Sequence, residues 1–235
     1  MTPTILFVPG IWEGPSVFDR ISSLLTADGF NVETAALPST GTISPGNPSM
    51  KDDIAAVHQH LKKIVERDQE VLLVLHSAGG FIGSEAMEGL DKNAREKQGR
   101  KGGVIGIVFI AGAVVPEGYV HQPLPFAVYE SGACYCVQPE VTLFGDLEKE
   151  ERAKWAAVLR PQPADGWRGT TTYAGWRVVL SVYLLCEGDK SLSISLQEQF
   201  ADLAGSKLVR CSAGHVPQLS QPHRVVEVIK DAVSA

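Results

Sequence analysis

Short apolar runs alternate with amphipathic stretches along most of the 235-residue chain. Runs of about four to eight apolar residues, bounded by glycine or polar residues, are typical of strands buried on both faces of a parallel sheet. Such runs predict strands at residues 5–8, 71–75, 104–110 and 181–186, and two segments of mixed character predict further strands at 31–37 and 207–211. Their alternation with helices predicts an α/β fold, a single domain over residues 1–235 whose mostly parallel sheet carries helices on both faces.

The stretch between the second and third predicted strands has the period of a helix. Ser49 and Asp52 form the pattern of a capping box, and apolar residues recur after them at three- and four-residue spacing. These apolar positions are Ile54, Val57, Leu61, Ile64 and Val65. We therefore predict a helix that begins after Ser49 and packs one face on the sheet.

Residues 111–176 interrupt the alternation. The segment has no clear strand, yet it holds 9 of the chain's 17 aromatic residues, a composition that argues against disorder. A long ordered segment between two buried strands is usually functional. We interpret it as a lid insertion over the carboxyl edge of the sheet, with an amphipathic helix at residues 146–159. The alternative is an extra packing layer with no site beneath it.

The run VLLVLHSAGG at residues 71–80 places Ser77 where a strand changes into a helix with almost no loop. A turn this tight strains the backbone and exposes the serine hydroxyl, and glycines after the serine let strand and helix pack closely. Nucleophilic serines of one large class of enzymes lie in this setting. The simpler interpretation is a serine that caps the following helix, so the other catalytic groups have to come from elsewhere in the chain.

The carboxyl ends of other predicted strands supply such groups. Ligands of open α/β sheets bind outside these ends, which makes Asp189 after the fifth strand and His215 after the sixth candidates for the acid and the base. Ile11, in the turn after the first strand, and Ala78 offer backbone N–H groups for an oxyanion. Serine, acid and histidine follow one another in the chain order of one convergent triad.

The chemistry requires these residue types together. A serine hydroxyl is a good nucleophile only when a neutral imidazole takes its proton, and a buried carboxylate has to hold that imidazole in the right tautomer. Taken singly, Asp189 is an ordinary turn aspartate and His215 an ordinary loop histidine. Their joint occurrence at successive strand ends after Ser77 predicts a Ser-His-Asp triad.

Four segments that span nearly the whole chain resemble one enzyme superfamily. They are FVPGIWEGPSVF (7–18), HSAGG (76–80), YLLCEGDK (183–190) with QEQF (197–200), and GHVPQLSQP (214–222). In these segments the chain resembles an α/β-hydrolase, and it is similar to the plant methyl esterase and hydroxynitrile lyase group and its microbial, salicylate-esterase-like relatives. The resemblance implies that Ser77 is the nucleophile, His215 the base and Asp189 its orienting acid. It also implies Ile11 and Ala78 as the oxyanion donors.

The chain departs from this family at several positions. Leu75 stands at the first glycine of the Gly-x-Ser-x-Gly turn, and Pro9 stands where the plant enzymes have a histidine. The hydroxynitrile lyases of this group have a lysine beside the catalytic histidine, where this chain has Val216. They have a threonine in the oxyanion turn, where this chain has Gly10. Without a cation to hold a leaving cyanide, the residues favour hydrolysis of an ester, lactone or thioester over cyanohydrin cleavage.

We therefore predict a carboxylic ester hydrolase, of the esterase or lactonase type, that cleaves a small hydrophobic substrate through an acyl-enzyme. Two alternatives stay open because a fold does not fix a function: a non-hydrolytic C–C lyase or tailoring enzyme, and a catalytically silent ligand-binding protein. The aromatic insertion favours an aromatic ester or lactone. The candidate substrate contacts are Trp12, Trp155, Trp167 and Trp176.

Composition excludes several other classes of protein. The net charge of −6 and the pI near 5.5 give no basic footprint for nucleic acid, and no apolar run reaches the length of a membrane span. The four cysteines lack zinc-site spacing, and no metal motif or nucleotide loop is found, so we expect no metal and no cofactor. Residues 1–9 are typical of a first strand and not of a signal peptide, which favours a cytoplasmic protein. A homodimer is left open.

The remaining histidines are predicted to lie outside the catalytic machinery. We expect His76 to point away from the nucleophile and to serve packing or support of the site. His121 and His223 are isolated in the sequence, and we expect both to be solvated.

Overall fold

The computed structural model of the protein describes residues 2–46 and 48–234. Six strands form its central sheet: β1 Thr4–Val8, β2 Asn31–Thr34, β3 Glu70–His76, β4 Gly103–Ile110, β8 Leu180–Cys186 and β9 Lys207–Cys211. Their order is β2-β1-β3-β4-β8-β9, and every neighbouring pair is parallel. The predicted α/β fold with a mostly parallel sheet is confirmed.

Burial along the strands explains why the sequence pattern identified them. Every residue of β1 is buried, as is every residue of β3 after Glu70, so helices have to cover both faces of these strands. The edge strands β2 and β9 are largely exposed or half-buried and are correspondingly more polar. A fully apolar run therefore marks the centre of the sheet and a mixed run marks its edges.

Nine α-helices are found in the described part of the chain. They are α1 Asp19–Ala27, α2 Met50–Val65, α3 Gly79–Ala86, α4 Lys92–Lys97, α5 Pro139–Thr142, α6 Lys149–Val158, α7 Ile194–Ala204, α8 Pro217–Ser220 and α9 Pro222–Ser234. Helix α1 packs with α9, and α2 packs with α3. The predicted capping box begins α2: the backbone N–H of Ser49 donates to Asp52 Oδ2 at 2.7 Å.

The segment at residues 111–176 contains a second sheet, so the prediction that it holds no strand is wrong. Strands β5 Ala127–Glu130, β6 Ala133–Cys136 and β7 Gln162–Pro163 form it, and all their pairings are antiparallel. Each strand has at most four residues, too few to establish a clear period of two in the sequence. The amphipathic stretch predicted at 146–159 is helical over Lys149–Val158.

This segment contacts the carboxyl edge of the central sheet. Next to β1, the Trp12 indole N–H donates to the Cys134 carbonyl at 2.9 Å, and the N–H of Arg160 donates to the Trp12 carbonyl at 3.0 Å. Next to β9, the N–H of Gly214 donates to Asp146 Oδ2 at 2.6 Å. The turns that follow two strands of the sheet are thus bonded directly to the segment.

No helix among the described residues combines the length and the apolar character needed to cross a membrane.

Candidate active site

Ser77 occupies a strained turn between β3 and α3. Its φ is +51°, in the left-handed region that a residue with a side chain rarely adopts. Two backbone bonds fix this conformation: the N–H of Ser77 donates to the Ile110 carbonyl at 3.2 Å, and the N–H of Ala113 donates to the Ser77 carbonyl at 2.8 Å. The turn therefore holds the serine, which is half-buried, at the carboxyl end of β3.

Glycines after the serine allow the close packing that this turn requires. A Cβ on Gly79 would overlap the Val8 carbonyl oxygen, and one on Gly80 would overlap the Ala113 carbonyl oxygen. The departure from the family at Leu75 is accommodated on the opposite side of the turn. A Cβ on Gly83 would overlap Leu75 Cδ2, so the glycine in α3 leaves space for a side chain in β3.

The three residues predicted to form a triad lie within hydrogen-bonding distance of one another. His215 Nε2 is 2.9 Å from Ser77 Oγ, and His215 Nδ1 is 2.7 Å from Asp189 Oδ2. The other carboxylate oxygen, Asp189 Oδ1, accepts the N–H groups of Ser191 at 2.7 Å and Leu192 at 3.0 Å. These two bonds orient the carboxylate, so that Oδ2 faces the imidazole.

His215 lies in a negatively charged environment. Burial by itself disfavours the charged imidazolium, but the carboxylate of Asp189, through its charge and its hydrogen bond, acts in the opposite direction. The charges of Glu13 and Asp146 add to this effect, and the pKa of His215 is raised above its ordinary value. The surroundings therefore stabilise the imidazolium that proton transfer from a serine would produce.

Ile11 and Ala78, the predicted oxyanion donors, both line a cavity beside Ser77. Among the hydrogen bonds of residues 2–46 and 48–234, neither of their backbone N–H groups has an acceptor. Gly10 brings the first turn close to the nucleophile, since a Cβ on it would lie 2.8 Å from Ser77 Cβ. The arrangement offers two free donors next to a serine hydroxyl.

The cavity has a predominantly apolar wall. The insertion supplies Leu124, Tyr129, Cys134 and Trp167, and α3 supplies Phe81. Arg168 is the only residue with a formal charge among the lining residues, apart from the titratable His121. A small hydrophobic molecule fits this wall.

Of the four tryptophans predicted to contact substrate, only Trp167 lines this cavity, and the structure does not bring the other three to its wall. Trp12 and Trp155 border a different cavity, and the Trp12 indole N–H is bonded to the Cys134 carbonyl. Trp176 is buried and its indole N–H donates to the Val115 carbonyl at 3.1 Å. The sequence could not distinguish these positions because which tryptophan faces the cavity depends on contacts between segments distant in the chain.

The prediction for His121 is also wrong, whereas that for His223 is confirmed. His121 is half-buried and lines the cavity; its ring lies 4.3 Å from the Phe81 ring, and burial lowers its pKa. Its Nε2 is 2.9 Å from Thr171 Oγ1. His223 is exposed. His121 had no neighbouring motif in the sequence, so no local pattern indicated its contacts.

Behind Trp167 lies a polar network that the sequence did not indicate. The Trp167 indole N–H donates to Ser39 Oγ at 3.0 Å, and this oxygen also lies 2.5 Å from Asp53 Oδ2 and 3.2 Å from Gln162 Oε1. A hydroxyl has only one hydrogen. All contacts are satisfied if a protonated Asp53 donates to Ser39 and Ser39 donates to Gln162.

Burial raises the pKa of Asp53 to about 6, although its hydrogen bonds with the side chain and backbone of Ser39 act in the opposite direction. Asp53 is 0% exposed, and the charge of the neighbouring Asp52 adds to the rise. Because the folded pKa lies above the ordinary value of 3.8, the stability that this proton supplies is present at low pH. It is lost as the pH rises through about 6.

Asp53→Asn is therefore expected to make the protein relatively more stable at high pH. The amide can donate to Ser39 Oγ and accept the Ser39 N–H, as the protonated acid does. Between about pH 4.5 and about pH 8, the unfolding free energy of the variant should gain about 2 kcal/mol relative to the unaltered protein. Urea unfolding of both proteins at the two pH values measures this. An equal difference at both pH values would contradict the prediction.

No group of three or more His, Cys, Asp or Glu residues within the described ranges is arranged to hold a metal ion.

The chain is similar to known hydrolases along nearly its whole length. The sequence model of the alpha/beta hydrolase family matches residues 5–228. The alpha/beta hydrolase nvfD of Aspergillus novofumigatus is 29% identical over 246 residues, covering 99% of this chain and 97% of that protein. Methylesterase 7 of Arabidopsis thaliana is 24% identical over 257 residues, covering 95% of this chain and 94% of that protein.

A solved structure has the same fold. The methylesterase MES16 from Arabidopsis superposes on this chain with a TM-score of 0.76 at 18% identity, and the match covers 99% of each chain. The predicted resemblance to the plant methyl esterase group within the α/β-hydrolases is thereby confirmed.

Proposed function

Because the chain belongs to the alpha/beta hydrolase family, we propose that it is a serine hydrolase that cleaves a small hydrophobic carboxylic ester or lactone. The observation that carries this proposal is the line of contacts from Ser77 Oγ through His215 to Asp189, at 2.9 and 2.7 Å. A serine, an imidazole and a buried carboxylate in this order form the arrangement that acyl transfer requires.

In the proposed first half-reaction Ser77 Oγ attacks the carbonyl carbon of the ester. His215 Nε2 takes the hydroxyl proton, while its Nδ1–H donates to Asp189 and so keeps Nε2 free to accept. The carbonyl oxygen becomes an oxyanion and accepts from the N–H groups of Ile11 and Ala78. When the C–O bond breaks, His215 returns the proton to the leaving alkoxide, and the acyl group stays on Ser77.

The second half-reaction repeats these steps with water. His215 takes a proton from a water molecule that attacks the acyl carbon, and the same two N–H groups hold the second oxyanion. The bond to Ser77 Oγ breaks, and the serine recovers its proton from His215. In a lactone the leaving alkoxide remains attached to the acyl group, so the same residues serve both substrate classes.

The cavity and the relatives support the substrate class. Phe81, Tyr129 and Trp167 give the wall large apolar surfaces, which suit an aromatic or otherwise hydrophobic acid or alcohol. Two relatives are named methylesterases, a carboxylic ester activity. Cyanohydrin cleavage is disfavoured because Gly10 supplies no threonine hydroxyl and Val216 supplies no cation. A threonine would not fit at position 10, since its Cβ would overlap Ser77.

Labelling with a fluorophosphonate probe tests the proposal. An active serine hydrolase should be labelled at Ser77, and Ser77→Ala should abolish both the labelling and the hydrolysis of a panel of aryl esters, alkyl esters and lactones. A folded protein that neither reacts with the probe nor hydrolyses any member of the panel would instead be a ligand-binding protein. Turnover with Ser77→Ala unchanged would refute the nucleophile.

Trp167→Ala is expected to impair the binding of bulky aryl esters more than the chemistry at the carbonyl. A wall contact of roughly equal strength in ground and transition states affects KM and not kcat. We expect KM for a bulky aryl ester to rise by about tenfold, with little change for a short alkyl ester. Trp155→Ala is the matched control because Trp155 borders a different cavity. Equal losses on both substrates with Trp167→Ala would contradict the assignment.

A further inference from the structure

A second acid–imidazole pair lies beneath the active site, and the proposed mechanism does not use it. Glu13 is 4% exposed and His76 is 0% exposed, and Glu13 Oε2 lies 2.7 Å from His76 Nδ1. The expectation that His76 serves packing or support agrees with its burial. Glu13 was not singled out by any pattern in the sequence, because its partner is 63 residues away along the chain.

Each member of the pair bonds a backbone group of the proposed catalytic machinery. Glu13 Oε2 accepts the N–H of Gly10 at 3.1 Å, and Gly10 directly precedes the oxyanion donor Ile11. His76 Nε2 donates to the carbonyl of His215 at 2.8 Å, since a carbonyl only accepts. The pair thus connects the oxyanion turn to the main chain of the base, and His76 itself directly precedes Ser77.

The proton positions in the pair follow from its contacts. Burial of Glu13 favours its neutral form, but the charge and hydrogen bond of His76, together with the charge of His215 and the Gly10 N–H, outweigh this effect, and the pKa of Glu13 lies below its ordinary value. The Glu13 carboxylate is therefore ionised and accepts from both Gly10 and His76. A buried charge pair with all its bonds made holds its neighbours in one geometry, and removing one member leaves the other unpaired.

We propose that Glu13 and His76 are positioning residues that hold the Ile11 donor and the base in register for the oxyanion step. This inference rests on the proposed serine hydrolase function. Neither residue touches substrate; each acts through the backbone of Gly10 or His215. An oxyanion donor contributes only when it lies close to where the charge develops, so a displaced Gly10–Ile11 peptide would weaken the transition state more than substrate binding.

Glu13→Gln is the first variant that tests the proposal. One carboxylate oxygen accepts from both Gly10 and His76. An amide oxygen is an uncharged acceptor, so Glu13→Gln removes the negative charge that strengthens both bonds and that compensates the buried imidazole. We expect kcat on the best ester to fall by about tenfold to a hundredfold, with KM nearly unchanged.

A transition-state mimic separates a positioning role from a purely structural one. Glu13→Gln should weaken binding of a trifluoromethyl ketone analogue of the ester, which forms an oxyanion on Ser77, by the same factor as kcat. Binding of the product alcohol should not change. Glu85→Gln is the matched control: Glu85 is also a buried carboxylate, but it bonds Thr172, and its loss should leave both affinities unaltered.

Two variants of His76 test its two contacts separately, because each retains one of them. His76→Gln places an amide nitrogen near the position of Nε2 and retains the donor to the His215 carbonyl, whereas His76→Asn places one near Nδ1 and retains the donor to Glu13. If the pair acts as one unit, both variants should lower kcat. Combining either with Glu13→Gln should lower kcat by less than the product of the two single-variant factors. The two His76 variants also test the positioning role if Glu13→Gln does not fold.

Two results would overturn the proposal. One is a set of folded variants with unaltered kcat and unaltered affinity for the trifluoromethyl ketone, even if their melting temperatures fall. The other is a loss with Glu13→Gln that Glu85→Gln reproduces. Failure of the hydrolase assignment is distinguishable, because the unaltered protein would then neither react with a fluorophosphonate nor hydrolyse esters.

Discussion

Replacing Ser77 or His215 by alanine is expected to lower kcat by about a millionfold, as in enzymes where serine and histidine act as a unit. Alanine at position 77 leaves no nucleophile, and alanine at position 215 leaves no group at 2.9 Å to take the serine proton. The double variant should be no slower than either single variant, because each change already removes the complete nucleophilic path.

The measurement is steady-state hydrolysis of the best ester, with circular dichroism to verify folding. Both variants should still bind the product alcohol, since the cavity wall is unaltered. A double variant that is much slower than both singles would mean that serine and histidine act independently. Activity of Ser77→Ala within tenfold of the unaltered protein, a difference of only about 1.4 kcal/mol in activation free energy, would refute the mechanism.

Asp189→Asn is expected to lower kcat by about ten-thousandfold while the protein stays folded. Asp189 Oδ1 accepts two backbone N–H groups, so the amide oxygen of asparagine has to occupy that position. The amide nitrogen then faces His215 Nδ1 and donates to it. This forces the imidazole hydrogen onto Nε2, which can no longer accept the proton of Ser77.

Asp146→Asn is the matched control for the acid. Asp146 also lies near His215, but its carboxylate accepts the N–H of Gly214, a bond that an amide oxygen can preserve. Its rate should fall far less than that of Asp189→Asn. Glu187, the other carboxylate near the strand end, lies 3.5 Å from Arg210. A loss below tenfold with Asp189→Asn would contradict its role as the orienting acid.

The sequence predicted the sheet and the three central side chains because their signals are local. The central strands are short apolar runs, and Ser77, Asp189 and His215 each lie within four residues after the end of a predicted strand. Topology then brings the carboxyl ends of parallel strands to one edge, whatever the details of packing. A pattern within about ten residues was sufficient in each case.

The features that the sequence did not indicate depend on contacts between distant segments. Ser39 meets Gln162 across 123 positions, and Trp12 meets Cys134 across 122. No local period encodes which of several tryptophans faces a cavity or which glutamate meets a buried histidine. The short strands of the insertion were missed for a related reason: β7 has two residues, and only its pairing with β6 makes it a strand.

The packing of Leu75 against Gly83 has a consequence for recognising such chains. The family's usual turn places a small residue in the strand two positions before the serine, whereas here the small residue lies in the helix six positions after it. Close approach of strand and helix needs one residue without a side chain at this contact, and either element can supply it. A search pattern that accepts glycine at only the first position would overlook proteins of this kind. In design, positions 75 and 83 should therefore be changed together, so that a larger side chain at one position is matched by a smaller one at the other.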